Sequence, residues 1–126
     1  MKKIVFLCVE NSCRSQIAEA FANLHGSNKV LAFSAGSNPS GSVNPKAIKL
    51  LKELNYDLSK HESIHTDALP DVQIDKMVSM GCGDSCPTIR AKERIEWDIP
   101  DPKDMDEDEF RQVIKEIETK VLELLN

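Results

Sequence analysis

The chain predicts an α/β fold built on an open parallel sheet. Three observations carry that expectation: short apolar runs without alternation, helical apolar periodicities that alternate with those runs, and cap or turn residues at the joins. Strands and helices alternating in this way form one sheet with helices on both faces. The length of 126 residues is that of one domain with a single core, so residues 1–126 are read as a single domain.

Residues 2–7, centred on Ile4-Val5-Phe6-Leu7, read as a buried strand. From Arg14 the positions Ile17, Phe21 and Leu24 recur at helical spacing, Ala18, Ala20 and Ala22 permit close packing, and Gly26 supplies a stop. Residues 29–33 form a second strand, and 37–42, rich in Ser, Gly and Pro, an ordered rim loop. Asn44-Pro45 opens a helix, with Asn as cap and Pro in the first turn, whose inner face is Ala47, Ile48, Leu51 and Leu54. Residues 58–69 are polar and irregular or briefly helical. Residues 76–80 are a third strand, 81–87 a cysteine-bearing loop, 94–97 a short fourth strand, and Pro100-Asp101-Pro102 a stiff turn. Asp106-x-x-Glu109 has the form of a capping box. Beyond it Phe110, Val113, Ile114, Ile117, Val121 and Leu124 trace one face of a last helix.

Apolar content of 40% and charged content of 29% are ordinary for a soluble globular chain. A net charge of −5 with no basic face argues against general nucleic-acid binding. The apolar run after Lys2-Lys3 ends at Val9, too short for a signal segment or a membrane span. The expectation is a cytoplasmic protein in a reducing compartment. There, four cysteines point to catalytic or redox use, not to a structural disulfide framework.

One stretch organises the rest: Cys8-Val9-Glu10-Asn11-Ser12-Cys13-Arg14-Ser15, between the first strand and the first helix. A strand, a tight loop and a helix N-terminus in that order make an anion site, because loop N–H groups and the positive end of the helix dipole face one point. Arg14 adds a planar fork of donors suited to a tetrahedral oxyanion. Those same partial charges favour a thiolate on Cys8, at the mouth of the loop. The site so read binds an oxyanion and places a nucleophilic sulfur beneath it.

Cys8-x5-Arg14-Ser15 directly after a first strand resembles the signature loop of the low-molecular-weight protein tyrosine phosphatase superfamily. Asn11-Ser12-Cys13-Arg14-Ser15 within it is most similar to the arsenate reductase branch. The resemblance spans nearly the whole chain and implies four strands in the order 2-1-3-4, with the site at their carboxyl ends. It implies Cys8 as nucleophile and an oxyanion held by residues Val9, Glu10, Asn11, Ser12, Cys13, Arg14 and Ser15. Asn11 would orient the loop, Ser15 would hydrogen-bond the Cys8 sulfur, and Cys13 would pack beneath the loop. Asp101-Pro102 resembles the Asp-Pro whose aspartate protonates the leaving group. Phosphatases of the superfamily continue with tyrosine; this chain has Lys103, and its one tyrosine, Tyr56, lies elsewhere. Glu10 stands where a small residue would sit more easily and adds negative charge beside the anion.

Cys82 and Cys86 match, by the same resemblance, the cysteine pair that relays a disulfide away from the nucleophile: Cys82 resolves, Cys86 terminates. Residues four apart in a helical turn have Cα atoms about 6 Å apart, within disulfide range. Gly81 and Gly83 would let the loop move. Only three residues separate the two cysteines, fewer than in the thioredoxin-coupled members, which leaves the last relay step and its reductant open. His61-x3-His65 with Cys82-x3-Cys86 is a weaker zinc pattern, since the pairs come in reversed order relative to common fingers and a domain of this length needs no metal staple; exposed loop histidines are the favoured reading. No cofactor is expected. Asn11, Glu19 and Ser34 match potassium-binding positions of some arsenate reductases, but Ile64 falls where a further aspartate would stand, so potassium dependence stays open. The expected activity is reduction of arsenate by a monomeric enzyme served by thioredoxin or a similar dithiol. The alternatives are a phosphatase for small phosphomonoesters or phosphotyrosine and a noncatalytic oxyanion-binding or redox-sensing module.

Overall fold

The computed structural model describes residues 1–81 and 90–126 of the chain. Its elements run β1 (Lys2–Cys8), α1 (Arg14–Gly26), β2 (Val30–Gly36), α2 (Pro45–Lys52), β3 (Ile74–Ser79), β4 (Ala91–Glu96) and α3 (Glu107–Leu125). Two 3-10 turns, Leu58–Lys60 and Thr66–Ala68, lie between α2 and β3. All strand pairs are parallel and the sheet order is β2-β1-β3-β4, the order that the resemblance implied. Cys8 pairs with Gly36 and Leu7 with Ser79, so β1, β2 and β3 end level with one another. That common edge is where the loop begins.

Side chains of β1 alternate between two apolar layers, which is why its sequence is apolar throughout. Ile4, Phe6 and Cys8 face the larger core together with Ile17, Phe21, Ala47, Leu51, Phe110 and Ile117 from the three α-helices. Val5 and Leu7 face the other side, packed with Ala35 and Met77 and closed over by Phe33, Ile64 and Leu69. On that second side the Thr66–Ala68 turn is the helical piece among the described residues. α2 begins as its caps dictate: the Asn44 side chain accepts from the N–H groups of Lys46 and Ala47, and Pro45 occupies the first turn. α3 begins likewise, with Asp106 accepting from Glu109 N at 2.9 Å.

Two core assignments made from periodicity are corrected. Leu24 on α1 is 40% exposed and Leu54 is 46% exposed. α2 ends at Lys52, and Asn55 at φ +63° turns the chain just beyond, so Leu54 lies outside the helix and Leu50 takes the inner position. No helix among the described residues is long and apolar enough to cross a membrane. Cys82, Gly83 and Cys86 lie outside the described residues.

Candidate active site

The loop from Cys8 to Arg14 is held by its carbonyl groups. Val9 O accepts from Asn38 N, Glu10 O from Ser40 N, and Ser12 O from Asn44 N, at 2.9, 3.0 and 3.0 Å. Asn11 O accepts from Gln16 Nε2 at 3.0 Å and Glu10 O also from Ser63 Oγ at 3.1 Å. In a planar trans peptide the next residue's N–H points opposite to the carbonyl. Four successive carbonyls tied to the surrounding chain therefore turn the N–H groups of Glu10, Asn11, Ser12 and Cys13 inward. Asn11 adopts φ +48°, the left-handed conformation that lets successive N–H groups converge. Gly36 makes room for this loop, since a Cβ there would collide with Val9 O and Asn11 N. Cys13 caps α1 without a side-chain bond, so the first-turn N–H groups of that helix add to the same positive end.

Beneath the loop, the Cys8 sulfur is 2.9 Å from Ser15 Oγ. Ser15 Oγ accepts from Asn11 Nδ2 at 2.8 Å, which leaves its own proton free to point at the sulfur. The side chains of Asn11 and Ser15 thus support the loop and the Cys8 sulfur, and both are fully buried. Cys13 is buried, and burial first, then the charges of Asp101 and Cys8, pushes its thiol up to about 12. That favours the neutral thiol at neutral pH and argues against a nucleophilic role.

Arg14 lies between three parts of the chain. Its Nη1 donates to Ile99 O at 3.0 Å, its Nη2 is 3.8 Å from Asp101 Oδ2, and Gly81, at φ +77°, lies so close that a Cβ would run into the guanidinium. Cys8, Val9, Glu10, Ser12, Cys13, Arg14, Asn44, Gly81, Asp101 and Lys103 line one cleft of about 320 Å³. Cys8, Arg14 and Asp101, the residues singled out in the sequence, meet there.

Behind the loop stands a chain of hydrogen bonds that periodicity did not reveal. Asn23 Nδ2 donates to Tyr56 OH at 3.0 Å, and Tyr56 OH lies 2.5 Å from His61 Nε2. His61 Nδ1 lies 2.9 Å from Gln16 Oε1, and Gln16 Nε2 donates to Asn11. Because Gln16 Oε1 can only accept, His61 carries its proton on Nδ1 and accepts from Tyr56 on Nε2. The expectation of an exposed His61 is therefore corrected, for its side chain is 9% exposed; His65 is exposed and caps the Thr66–Ala68 turn. The available signal was a polar Gln16 on the buried face of α1, one turn before Ala20.

Burial holds the His61 imidazole below its ordinary value of 6.5, against a smaller upward pull from Asp57. The unfolded chain then protonates first on acidification, so this contribution is present above pH 6.5 and lost as pH falls below it. Glu19, pushed up by burial, acts in the opposite sense across the acid range. The expected result is a fall in Tm on going from about pH 7 to about pH 5.5 that is smaller in His61→Gln. Scanning calorimetry checks this, and equal falls in both proteins would sink it.

The oxygens at Asn11, Glu19 and Ser34 are partly committed to hydrogen bonds within the protein. Asn11 Oδ1 already accepts from Ile64 N at 2.9 Å and Gln16 Nε2 at 3.1 Å. Ser34 Oγ donates to Glu19 Oε1, and Ile64 supplies no side-chain oxygen.

Residues 3–126 match the family described as low molecular weight phosphotyrosine protein phosphatase. The chain is 34% identical over 128 residues to a Synechocystis protein named glutaredoxin arsenate reductase, covering 99% of this chain and 97% of that one. It is 40% identical over 126 residues to arsenate reductase 1 of Staphylococcus epidermidis, covering 95% and 92%. A solved structure described as an arsenate reductase in the phosphate binding state superposes with a TM-score of 0.90 at 33% identity, over 99% of this chain and 97% of that one. The thioredoxin-dependent arsenate reductase of Corynebacterium glutamicum gives 0.79 at 30% identity, over 98% of this chain and 60% of that one. With loop, strand order and near full-length matches in agreement, the chain belongs to the low molecular weight phosphotyrosine protein phosphatase family.

Proposed function

We propose that this protein reduces arsenate to arsenite through a relay of its own thiols. The observation that carries the reading is the cleft in which the Cys8 sulfur lies under inward-facing amides, with the Arg14 fork and the Asp101 carboxyl on its walls. Relatives named arsenate reductases, similar over nearly their whole length, support the choice of oxyanion.

In the first step Cys8 attacks arsenic, a sulfur–arsenic bond forms, and one arsenate oxygen leaves as water with a proton from Asp101. The amides and Arg14 stabilise the charge that builds on the remaining oxygens. Cys82 then attacks the Cys8 sulfur. The sulfur–arsenic bond breaks with its electron pair on arsenic, giving arsenite and a Cys8–Cys82 disulfide. Cys86 attacks Cys82, releases Cys8 and leaves a Cys82–Cys86 disulfide for an external dithiol to reduce. The chemistry belongs in a reducing compartment such as the cytoplasm, in a monomer. For the reductant we favour a thioredoxin-type dithiol protein. The Corynebacterium neighbour is described as thioredoxin-dependent and the Synechocystis relative as a glutaredoxin arsenate reductase, so both reductants belong in the assay.

The test is to incubate the reduced protein with arsenate alone and map its disulfides by mass spectrometry. One arsenite per chain with a Cys82–Cys86 bond is the expected result. Unchanged thiols with steady hydrolysis of an aryl phosphate would point instead to a phosphatase, in which water replaces Cys82 as the second nucleophile. Slow phosphatase activity is compatible with the reductase, because both reactions share the attack by Cys8. Cys86→Ser is expected to stop after one turnover as a Cys8–Cys82 species. Sustained turnover of that variant with thioredoxin would refute the relay.

A further inference from the structure

Glu10 and Lys103 both line the cleft and reach each other, Lys103 Nζ donating to Glu10 Oε1 at 3.2 Å. Glu10 belongs to the anion loop. Lys103 follows the turn that carries Asp101, and its backbone N–H donates to Asp101 Oδ1 at 3.1 Å. The ion pair therefore links the element that grips the anion to the element that carries the acid. A carboxylate in an anion loop repels an incoming anion, and Lys103 cancels that charge on the spot. The pair is 46% and 43% exposed at its two side chains, and so open a pair does little for stability. Its place at the cleft suggests another use.

We propose that the Glu10–Lys103 pair is a specificity element, a charged strap at the mouth of the cleft that admits inorganic tetrahedral oxyanions and disfavours esters with a bulky organic group. The proposal rests on the attack by Cys8 proposed above, with the displacement running in line. In that geometry the leaving group lies opposite the sulfur, on the side of the acid. With arsenate the leaving group is water, and nothing extends further. With a phosphomonoester the organic arm continues outward past Asp101, where Lys103 is tied by its own N–H. Admitting that arm means parting the strap, and a parted strap leaves the Glu10 charge uncompensated beside a dianion. Bulk and field act in the same direction. Where the superfamily's phosphatases continue Asp-Pro with tyrosine, this chain has a lysine committed to the loop.

Equilibrium binding tests this apart from turnover. Inorganic phosphate and phenyl phosphate are titrated by calorimetry into the reduced parent protein, Lys103→Ala, and the double variant Glu10→Ala/Lys103→Ala. The double variant removes the strap without changing net charge. It is expected to gain about tenfold or more in affinity for phenyl phosphate relative to inorganic phosphate. Lys103→Ala, which leaves Glu10 without its counter-charge, is expected to weaken both anions together by about threefold or more. A phenyl-to-inorganic ratio in the double variant within about threefold of the parent overturns the proposal. Unchanged affinity for both anions in Lys103→Ala does the same. Arsenite release is assayed on the same parent sample. Oxyanion binding without arsenite release overturns the reductase reading, while the strap stands or falls on the binding ratio alone.

Discussion

Replacing Cys8 by Ser is expected to lower arsenate turnover by about a thousandfold or more while inorganic phosphate still binds. The reason lies in which atoms do which task. In the proposed relay the sulfur supplies the electron pair that attacks arsenic and later accepts Cys82; a serine hydroxyl can do neither at neutral pH. The oxyanion is gripped by other atoms. The loop N–H groups are oriented by carbonyls bound to Asn38, Ser40, Asn44 and Gln16, and none of those bonds uses the Cys8 side chain. Serine is the closest replacement in shape, and its hydroxyl keeps a partner in Ser15. Arsenite release and phosphate calorimetry on the same sample check both halves. Turnover within about tenfold of the parent would remove Cys8 from the reaction.

Arg14→Lys is expected to lower kcat/KM for arsenate by about a hundredfold or more, although the charge is kept. A guanidinium donates in two directions at once. Here it satisfies Ile99 O and leans on Asp101 while keeping further donors for the oxyanion. An ammonium has one centre and cannot hold the wall and the substrate together. The slot is also cut to a flat group, since Gly81 lies against the guanidinium where a Cβ would not fit. Steady-state kinetics with Tm measured in parallel separates a lost donor fork from a damaged fold. A kcat/KM within about threefold of the parent would show that the fork does not serve the anion.

What could be read from the sequence was local. Ile4 to Leu7, the Asn44-Pro45 cap and the Asp106 cap are decided by neighbours a few residues away, and each produces the element expected of it. Cys8 and Arg14 were legible for the same reason, as a loop between a strand and a helix can hardly point anywhere but the sheet edge. Periodicity failed at element ends. Leu24 and Leu54 keep the apolar spacing, yet Leu24 is exposed on the last turn of α1, where Gly26 takes the buried place against Leu125, and Leu54 lies beyond the end of α2. The hydrogen-bonded chain from Tyr56 to Asn11 was illegible on other grounds. It joins Gln16 to His61 across 45 positions, and tertiary packing alone brings them together. The Glu10–Lys103 pair, 93 positions apart, is of the same kind.

The outward tethering of the loop carbonyls has a bearing on affinity. The backbone freedom of that loop is given up when the protein folds, long before any substrate arrives. An oxyanion entering the cleft finds its donors already aimed and does not have to freeze a floppy segment to be held. A molecule built this way can capture a scarce inorganic ion with only a few polar contacts. For the same reason it will not readily distinguish arsenate from phosphate by grip, so discrimination between them falls to the chemistry that follows.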